Sequence, residues 1–197
     1  MTERTAPSGP DHLTVADTAA WRVWLDEHED ASDGVWLTLA KKGTRSPTSL
    51  TYGQALEEAL CSGWIDGRKN TIDDATFRQH FTPRRKRSLW SQRNIELVAA
   101  LTAAGRMRNR GQAEVDRAQA DGRWDRAYAG AATIQVPTDL LEALEASPVA
   151  DASFRALAAS ARYPIVLDVT TASTATTRAA RISRHVAKLA TDHATIC

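Results

Sequence analysis

Acidic and basic side chains that could do chemistry lie close together in the first half of the sequence. Asp66 stands between Ile65 and Gly67, and a run of four cations, residues 84–87, follows it. A charged group is costly to bury alone, so this carboxylate and this cationic run must each contact water, an oppositely charged partner or a ligand. We therefore predict a binding site around Asp66 and Arg84.

The sequence is compatible with two chemical roles and one structural role for Asp66. Its carboxyl group would act as a general acid or base if burial raises its pKa, and as a hydrogen-bond acceptor if burial does not. Pairing with an arginine is the simpler, structural interpretation. In the enzymatic interpretation, Asp66 and Arg84 are the catalytic residues, because Arg84 and its neighbour Arg85 would stabilise a developing anion.

The cationic run also suits an anionic ligand. Ser88 follows the run and is predicted to be the N-cap of a helix, so free backbone N–H groups and guanidinium groups would face the same space. A carboxylate, sulfate or phosphate is favoured there by charge-assisted hydrogen bonds and by the helix dipole. A solvated basic turn and a contact with nucleic acid are the alternatives. The predicted ligand-binding residues are Trp64, Arg68, His80, Arg85, Ser88 and Trp90.

Two tryptophans and one histidine complete the predicted site. Trp64 and Trp90 would form an apolar or stacking wall beside Asp66, or they would be ordinary core residues. His80 lies on a predicted strand beside the cationic run, so it would enter the pocket or remain on the surface.

The two cysteines, Cys61 and Cys197, indicate neither a disulfide framework nor a metal site. The sequence has no glycine-rich nucleotide loop and no hydrolase elbow. We therefore predict no metal, no cofactor and an inert, buried thiol at Cys61. Free cysteines favour a cytoplasmic protein, and the lack of a long apolar stretch argues against a signal peptide and a membrane partner.

The formal net charge of +1 gives no overall basic field that would recruit nucleic acid. A local patch would be needed, and the last predicted helix carries a row of basic side chains: Arg178, Arg181, His185 and Lys188. The simplest interpretation of this row is a solvated helix face, and docking of nucleic acid or an acidic partner is the alternative. The sequence does not indicate an oligomeric state.

The elements that must hold these residues indicate an α+β fold. Segments with an apolar period of two alternate with amphipathic helices, which predicts a small antiparallel or mixed sheet with packed helices in the N-terminal half. The predicted elements of that half are a helix carrying Trp21 and His28 with Thr18 as N-cap, strands over 34–39 and 75–82, a helix from Thr51 to Gly63, and a short strand at Trp64.

The C-terminal half is predicted to be helical. Its helices are expected from Ser88 to Gly105, from about 110 to 120, on either side of Pro148, and from about 174 to 191. Residues 168–177 are expected to form a turn with frayed helix ends. The expected organisation is a disordered lead over residues 1–12, a sheet-containing half over 13–83, and a helical half over 84–197 that shares one core with it.

A series of short segments, spread over nearly the whole chain, carries a family resemblance. They include Ala59-Leu60-Cys61, Gly63-Trp64-Ile65-Asp66-Gly67, Phe81-Thr82-Pro83-Arg84-Arg85 with Ser88 and Trp90-Ser91, Asp121-Gly122-Arg123-Trp124, Val136-Pro137 and Thr177-Arg178. Together they resemble the bacteriocin-protection, YdeI or OmpD-associated family. The resemblance implies a small cytoplasmic bacterial protein and no defined reaction.

Two positions depart from the pattern of that family. Ser62 stands where an aromatic residue is common, and Ser173 stands where a lysine is usual. We expect the small Ser62 side chain to enlarge the pocket and Ser173 to remove a contact with an anion.

These features favour a stress-response or self-resistance protein that binds a small anionic or aromatic molecule in a pocket of tryptophan, aspartate and arginine side chains. One alternative is a small cofactor-independent enzyme with Asp66 as general acid or base and with Arg84 and Arg85 as anion stabilisers. The other alternative is a module that binds protein or nucleic acid.

Overall fold

The computed structural model describes residues 12–192, which form two compact units. The first unit contains the described residues up to Ser88 together with Glu96–Asp121, and the second contains Leu89–Ile95 and the chain from Gly122 onwards. A mixed sheet lies in the N-terminal half and the C-terminal half is helical, so the predicted α+β class is confirmed. Residues 1–11 of the predicted lead lie outside the described residues, and His12 begins the first strand.

The first unit contains four strands, three whole helices and part of a fourth helix among the described residues. Helix α3, Gln92–Ala103, begins in the second unit and continues into the first. The other elements are β1 (His12–Leu13), α1 (Thr18–His28), β2 (Val35–Ala40), α2 (Tyr52–Cys61), β3 (Trp64–Thr71), β4 (Thr76–Pro83) and α4 (Asn109–Ala120).

The four strands form one sheet in the order β1-β2-β4-β3. The short β1 runs parallel to β2, whereas β4 is antiparallel to both of its neighbours. Strand β4 is therefore central, and its register against β3 sets where the side chains of β3 point. In that register, Asp66 lies opposite Phe81 and Lys69 lies opposite Gln79.

The core of the first unit lies between the sheet and the first two helices. Leu37 and Leu39 of β2 and Phe81 of β4 are fully buried, as are Trp21 and Leu25 of α1. The Trp21 ring lies 5.7 Å from the Phe81 ring, which joins α1 to the sheet. Burial of each large apolar side chain of this kind contributes about 1.5–3 kcal/mol.

Two glycines allow close contacts at the end of α2. Gly63 has a φ of 72°, a left-handed conformation that favours glycine, and it ends the helix as predicted. A Cβ atom on Gly111 would lie 2.1 Å from the carbonyl oxygen of Cys61. Helix α4 can therefore pass the end of α2 only with glycine at position 111.

The second unit is a helical assembly with its own apolar core. Leu140, Leu144, Phe154, Val169 and Leu189 are among its buried residues. None of the helices in residues 12–192 is long and apolar enough to cross a membrane. The helices are α5 (Thr138–Glu145), α6 (Pro148–Ala156), α7 (Ala159–Thr170) and α8 (Ala175–Asp192).

One prediction for the C-terminal half is wrong. Ser88 is not an N-cap, because its hydroxyl accepts a hydrogen bond from the Arg85 N–H (2.9 Å) and closes a turn. At the start of α3, the Ser91 hydroxyl instead accepts a hydrogen bond from the Asn94 N–H (3.2 Å). The turn predicted within residues 168–177 lies between the end of α7 at Thr170 and the start of α8 at Ala175. Helix α7 itself was not predicted, because Pro164 lies inside it.

Candidate functional site

Asp66 lines a recess in the first unit, and Tyr52 holds its carboxylate. The Tyr52 hydroxyl donates a hydrogen bond of 2.8 Å to Oδ2 of the half-buried Asp66. Tyr52 is the first residue of α2, and the capping box formed by Thr51 and Gln54 fixes the start of that helix. The local sequence thus determines where the tyrosine meets the acid.

A β-bulge brings a cation to the same recess. From Asp66 to Lys69 the chain advances three positions, while the partner strand advances two, from Phe81 to Gln79. Side chains three apart on a regular strand point to opposite faces, and the extra residue cancels that difference. Asp66 and Lys69 therefore both line the recess.

The remaining walls are an aromatic ring and an amide. The Lys69 ammonium group lies 4.3 Å from the centre of the Phe77 ring, a cation–π contact. Gln79 donates a hydrogen bond of 2.8 Å from Nε2 to the Gly67 carbonyl, which holds the bulge in place. The recess has a volume of about 380 Å³, within the range of small-molecule sites. We call it the Asp66 recess; its lining residues are Tyr52, Asp66, Gly67, Lys69, Phe77 and Gln79.

The predicted arginines are not among those lining residues. Arg84 is buried beyond the end of β4, where its backbone N–H donates to the Gly63 carbonyl (2.9 Å), and Arg85 is exposed in the following turn. Gly63 is three residues from Asp66, about 10 Å along an extended strand. The antiparallel register thus separates Arg84 from Asp66, and the cation in the Asp66 recess is Lys69.

The two tryptophans of the predicted site are buried core residues. Trp64 is fully buried in the first unit, where its ring meets the Trp24 ring edge to face at 5.8 Å. Trp90 belongs to the second unit, where its ring lies 4.8 Å from that of Trp124.

His80 lines a second recess of the first unit, of about 640 Å³, which we call the histidine recess. The recess is also lined by His12, His28 and Trp24. The His28 Nδ1 atom lies 2.8 Å from the Trp24 carbonyl oxygen; since a carbonyl only accepts, Nδ1 carries the proton. Among the described residues, no group of three or more His, Cys, Asp or Glu side chains could hold a metal ion.

The electrostatics of His80 favour the neutral imidazole. Burial lowers the pKa of His80, and the positive charge of Arg68 lowers it further. Arg68 itself is exposed on β3. The predicted ligand-binding residues Arg68 and His80 thus influence each other through charge.

An ionic network around the buried Glu58 lies between α2 and the segment before α4, and it was not predicted. Glu58 is 5% exposed, and its two carboxylate oxygens accept hydrogen bonds from Arg106 (2.7 Å) and Arg108 (2.9 Å). Burial raises the pKa of Glu58, but the hydrogen bonds from Arg108 and Arg106 outweigh it, so the pKa lies below its ordinary value. We call this group the Glu58 network.

Ser62 belongs to the Glu58 network and does not line the Asp66 recess. It is fully buried, and its hydroxyl accepts a hydrogen bond of 2.8 Å from Nε of Arg108. A serine at this position thus supplies an acceptor for a partly buried guanidinium. Cys61 beside it is buried, and burial raises the pKa of its thiol, which agrees with the predicted inert role.

Comparison with known families gives two matches along the chain. Residues 133–192 match the family model described as Bacteriocin-protection, YdeI or OmpD-Associated, which confirms the predicted resemblance for that segment. Neither the curated proteins nor the solved structures gave a match. Residues 13–114, more than half of the chain, match a different model and include both the Asp66 recess and the Glu58 network. The chain therefore belongs to the family described as Domain of unknown function (DUF8412).

Proposed function

We propose that the protein binds a small polar molecule in the Asp66 recess. The observation that carries this proposal is the β-bulge, which turns Lys69 to the same recess as Asp66. Bulges are frequent beside functional sites because they re-aim a side chain. A strand that served only the core would not need to bring a carboxylate and an ammonium group together at an open recess.

The lining groups define the chemistry of the ligand. An ionised Asp66 only accepts hydrogen bonds, so the ligand must offer it a hydroxyl, amino or ammonium group. Lys69 favours an anionic group on the same ligand. A small organic acid that also carries a hydrogen-bond donor satisfies both requirements, and an aromatic group on it could lie near Phe77.

The cellular role that we infer is self-resistance or stress response in the cytoplasm, by capture of such a molecule. The description of the family matched by residues 133–192, which names bacteriocin protection, supports this role. The free, buried Cys61 suits a reducing compartment.

An enzymatic role at the same recess is the second candidate, and the Tyr52–Asp66 pair favours it. A hydroxyl that donates to a carboxylate at 2.8 Å is placed to pass a proton to or from a bound substrate. In that case, Asp66→Asn would abolish turnover while binding persists. Unchanged turnover in this variant would exclude Asp66 as general acid or base.

Thermal-shift screening tests the binding proposal. Wild-type protein would be melted with hydroxy acids, amino acids and aromatic acids, alongside the variants Asp66→Asn and Lys69→Met. Arg85→Met is the matched control, because Arg85 is an exposed cation outside the recess lining. A ligand present at one hundred times its Kd stabilises a protein by about 2.7 kcal/mol.

We expect a raised melting temperature in the wild type and the control, and none in the two recess variants. A ligand that shifts all four proteins equally would bind elsewhere and would overturn the proposal.

A further inference from the structure

A groove between α7 and α8 in the second unit has an apolar floor and a basic rim. Its volume is about 530 Å³, and its floor includes Leu157, Pro164, Ile165 and Leu189. Its rim is formed by Arg184, His185 and Lys188. We call it the α7–α8 groove.

The floor of the groove is formed partly by α7 itself. Pro164 lies inside this continuous helix and is exposed. Leu157 and Ile165 are partly buried and pack against the core of the second unit, so their outer surfaces remain available to a ligand. The floor is thus the outer edge of that core, and part of α7 belongs to it.

Cations outnumber acids around the rim. Asp168 lies 2.6 Å from a guanidinium nitrogen of Arg184 and 3.3 Å from one of Arg181, and 2.8 Å from Nε2 of His185. One carboxylate thus faces two guanidinium groups. Lys188, one turn beyond Arg184 on α8 and exposed, adds another positive charge.

We propose that the α7–α8 groove binds a free anionic amphiphile, a carboxylate with a linear alkyl chain. The alkyl chain would lie on Leu157, Ile165 and Leu189, and the carboxylate would meet Lys188 and Arg184. The volume of the groove suits one small ligand. A concave recess of this size accommodates a single chain, whereas binding to a bilayer surface uses a protruding apolar face.

Isothermal titration of the full chain with alkyl ligands below their micelle concentration tests this proposal. Decanoate is the probe, octanoate tests chain length, and decanol and decyltrimethylammonium test the head group. Each buried methylene strengthens binding about fourfold, so octanoate, which is two methylenes shorter, should bind about fifteenfold more weakly than decanoate. Decanol should also bind more weakly, and the cation should not bind.

Variants of exposed residues locate the site without disturbing the core. Ala161→Glu places a carboxylate in the groove lining and should abolish decanoate binding, whereas Ala159→Glu, outside that lining, should leave it unchanged. Lys188→Met should weaken binding about tenfold, and Arg155→Met, an exposed cation outside the lining, should not. Melting curves establish that each variant is folded.

Three results would overturn the proposal. One is equal binding of decanoate by the wild type and the folded Ala161→Glu variant. Another is binding of the ammonium amphiphile as tightly as decanoate. The third is sedimentation with anionic phospholipid vesicles without any binding of monomeric decanoate, which would assign a membrane surface instead. Since the groove lies in the second unit, these results leave the proposal for the Asp66 recess untouched.

Discussion

Two carboxylates of the first unit, Glu58 and Asp66, lie in contrasting surroundings. Glu58 is 5% exposed and accepts hydrogen bonds from two arginines. Asp66 is half-buried, accepts one hydrogen bond from Tyr52 and borders a recess of about 380 Å³. The first acid is enclosed by its partners, and the second faces open space.

This difference separates a structural acid from a functional one. A buried charge with a full set of partners stabilises the fold as long as every partner is present, and removal of one partner is costly. An acid beside open space retains lone pairs for a ligand, so its replacement should change binding more than folding.

Glu58→Gln should destabilise the fold by about 3 kcal/mol, because the charge of the buried Glu58 is lost beside the partly buried Arg108, while the exposed Arg106 keeps Glu57 as a partner. Urea unfolding followed by circular dichroism measures this loss. Asp30→Asn is the control, since Asp30 also pairs with an arginine, Arg110, but is 90% exposed there, and it should have little effect. Equal stability of Glu58→Gln and the wild type would show that the Glu58 network is not structural.

Ser62→Ala should destabilise the fold by about 1–2 kcal/mol, because Nε of the partly buried Arg108 loses an acceptor. The same urea titration provides the value. The effect should largely disappear in a Glu58→Gln background, since residues of one network are coupled. Additive losses in the double variant would contradict the coupling.

The contribution of Glu58 should depend on pH. Its pKa in the folded protein lies below its ordinary value of 4.5, so the unfolded chain binds the proton more readily. The stabilisation is therefore fully present above about pH 5 and is lost as the pH falls through the lowered folded-state pKa.

The measurement is the difference in free energy of unfolding between wild type and Glu58→Gln. It should be largest at neutral pH and should shrink in acid, where a protonated Glu58 resembles glutamine. A difference that stays constant down to about pH 3 would contradict this assignment.

Tyr52→Phe should have the smallest effect on stability, about 1 kcal/mol, because it removes one hydrogen bond to a half-buried acid. Ligand binding should weaken at the same time, since the Asp66 carboxylate is no longer oriented. Titration with a ligand from the thermal-shift screen measures this. An unchanged Kd would show that Tyr52 does not position the acid.

The fold class and most elements follow from the sequence because local patterns determine them. Thr51 caps α2 and Gly63 ends it, as predicted from their residue types. Helix α7 lacks such a pattern, since Pro164 interrupts its sequence. Ser88 and Ser91 are both suitable caps, and only the structure shows that Ser88 closes a turn.

The candidate site was predictable only in part. Asp66 was identified because a carboxylate between Ile65 and Gly67 is unusual. Its partner Lys69 was missed because strand periodicity places residues 66 and 69 on opposite faces. The bulge that brings them to the same face arises from the pairing of β3 with β4, which the sequence of β3 alone does not show. The Glu58 network was missed because its arginines are distant in sequence from α2.

The most direct test of this account measures stability and ligand response together in Asp66→Asn, with Glu58→Gln beside it. We predict that Asp66→Asn unfolds within about 1 kcal/mol of the wild type and has lost the ligand-induced rise in melting temperature. Retention of the full ligand response in Asp66→Asn, or a loss of stability as large as that of Glu58→Gln, would contradict the account.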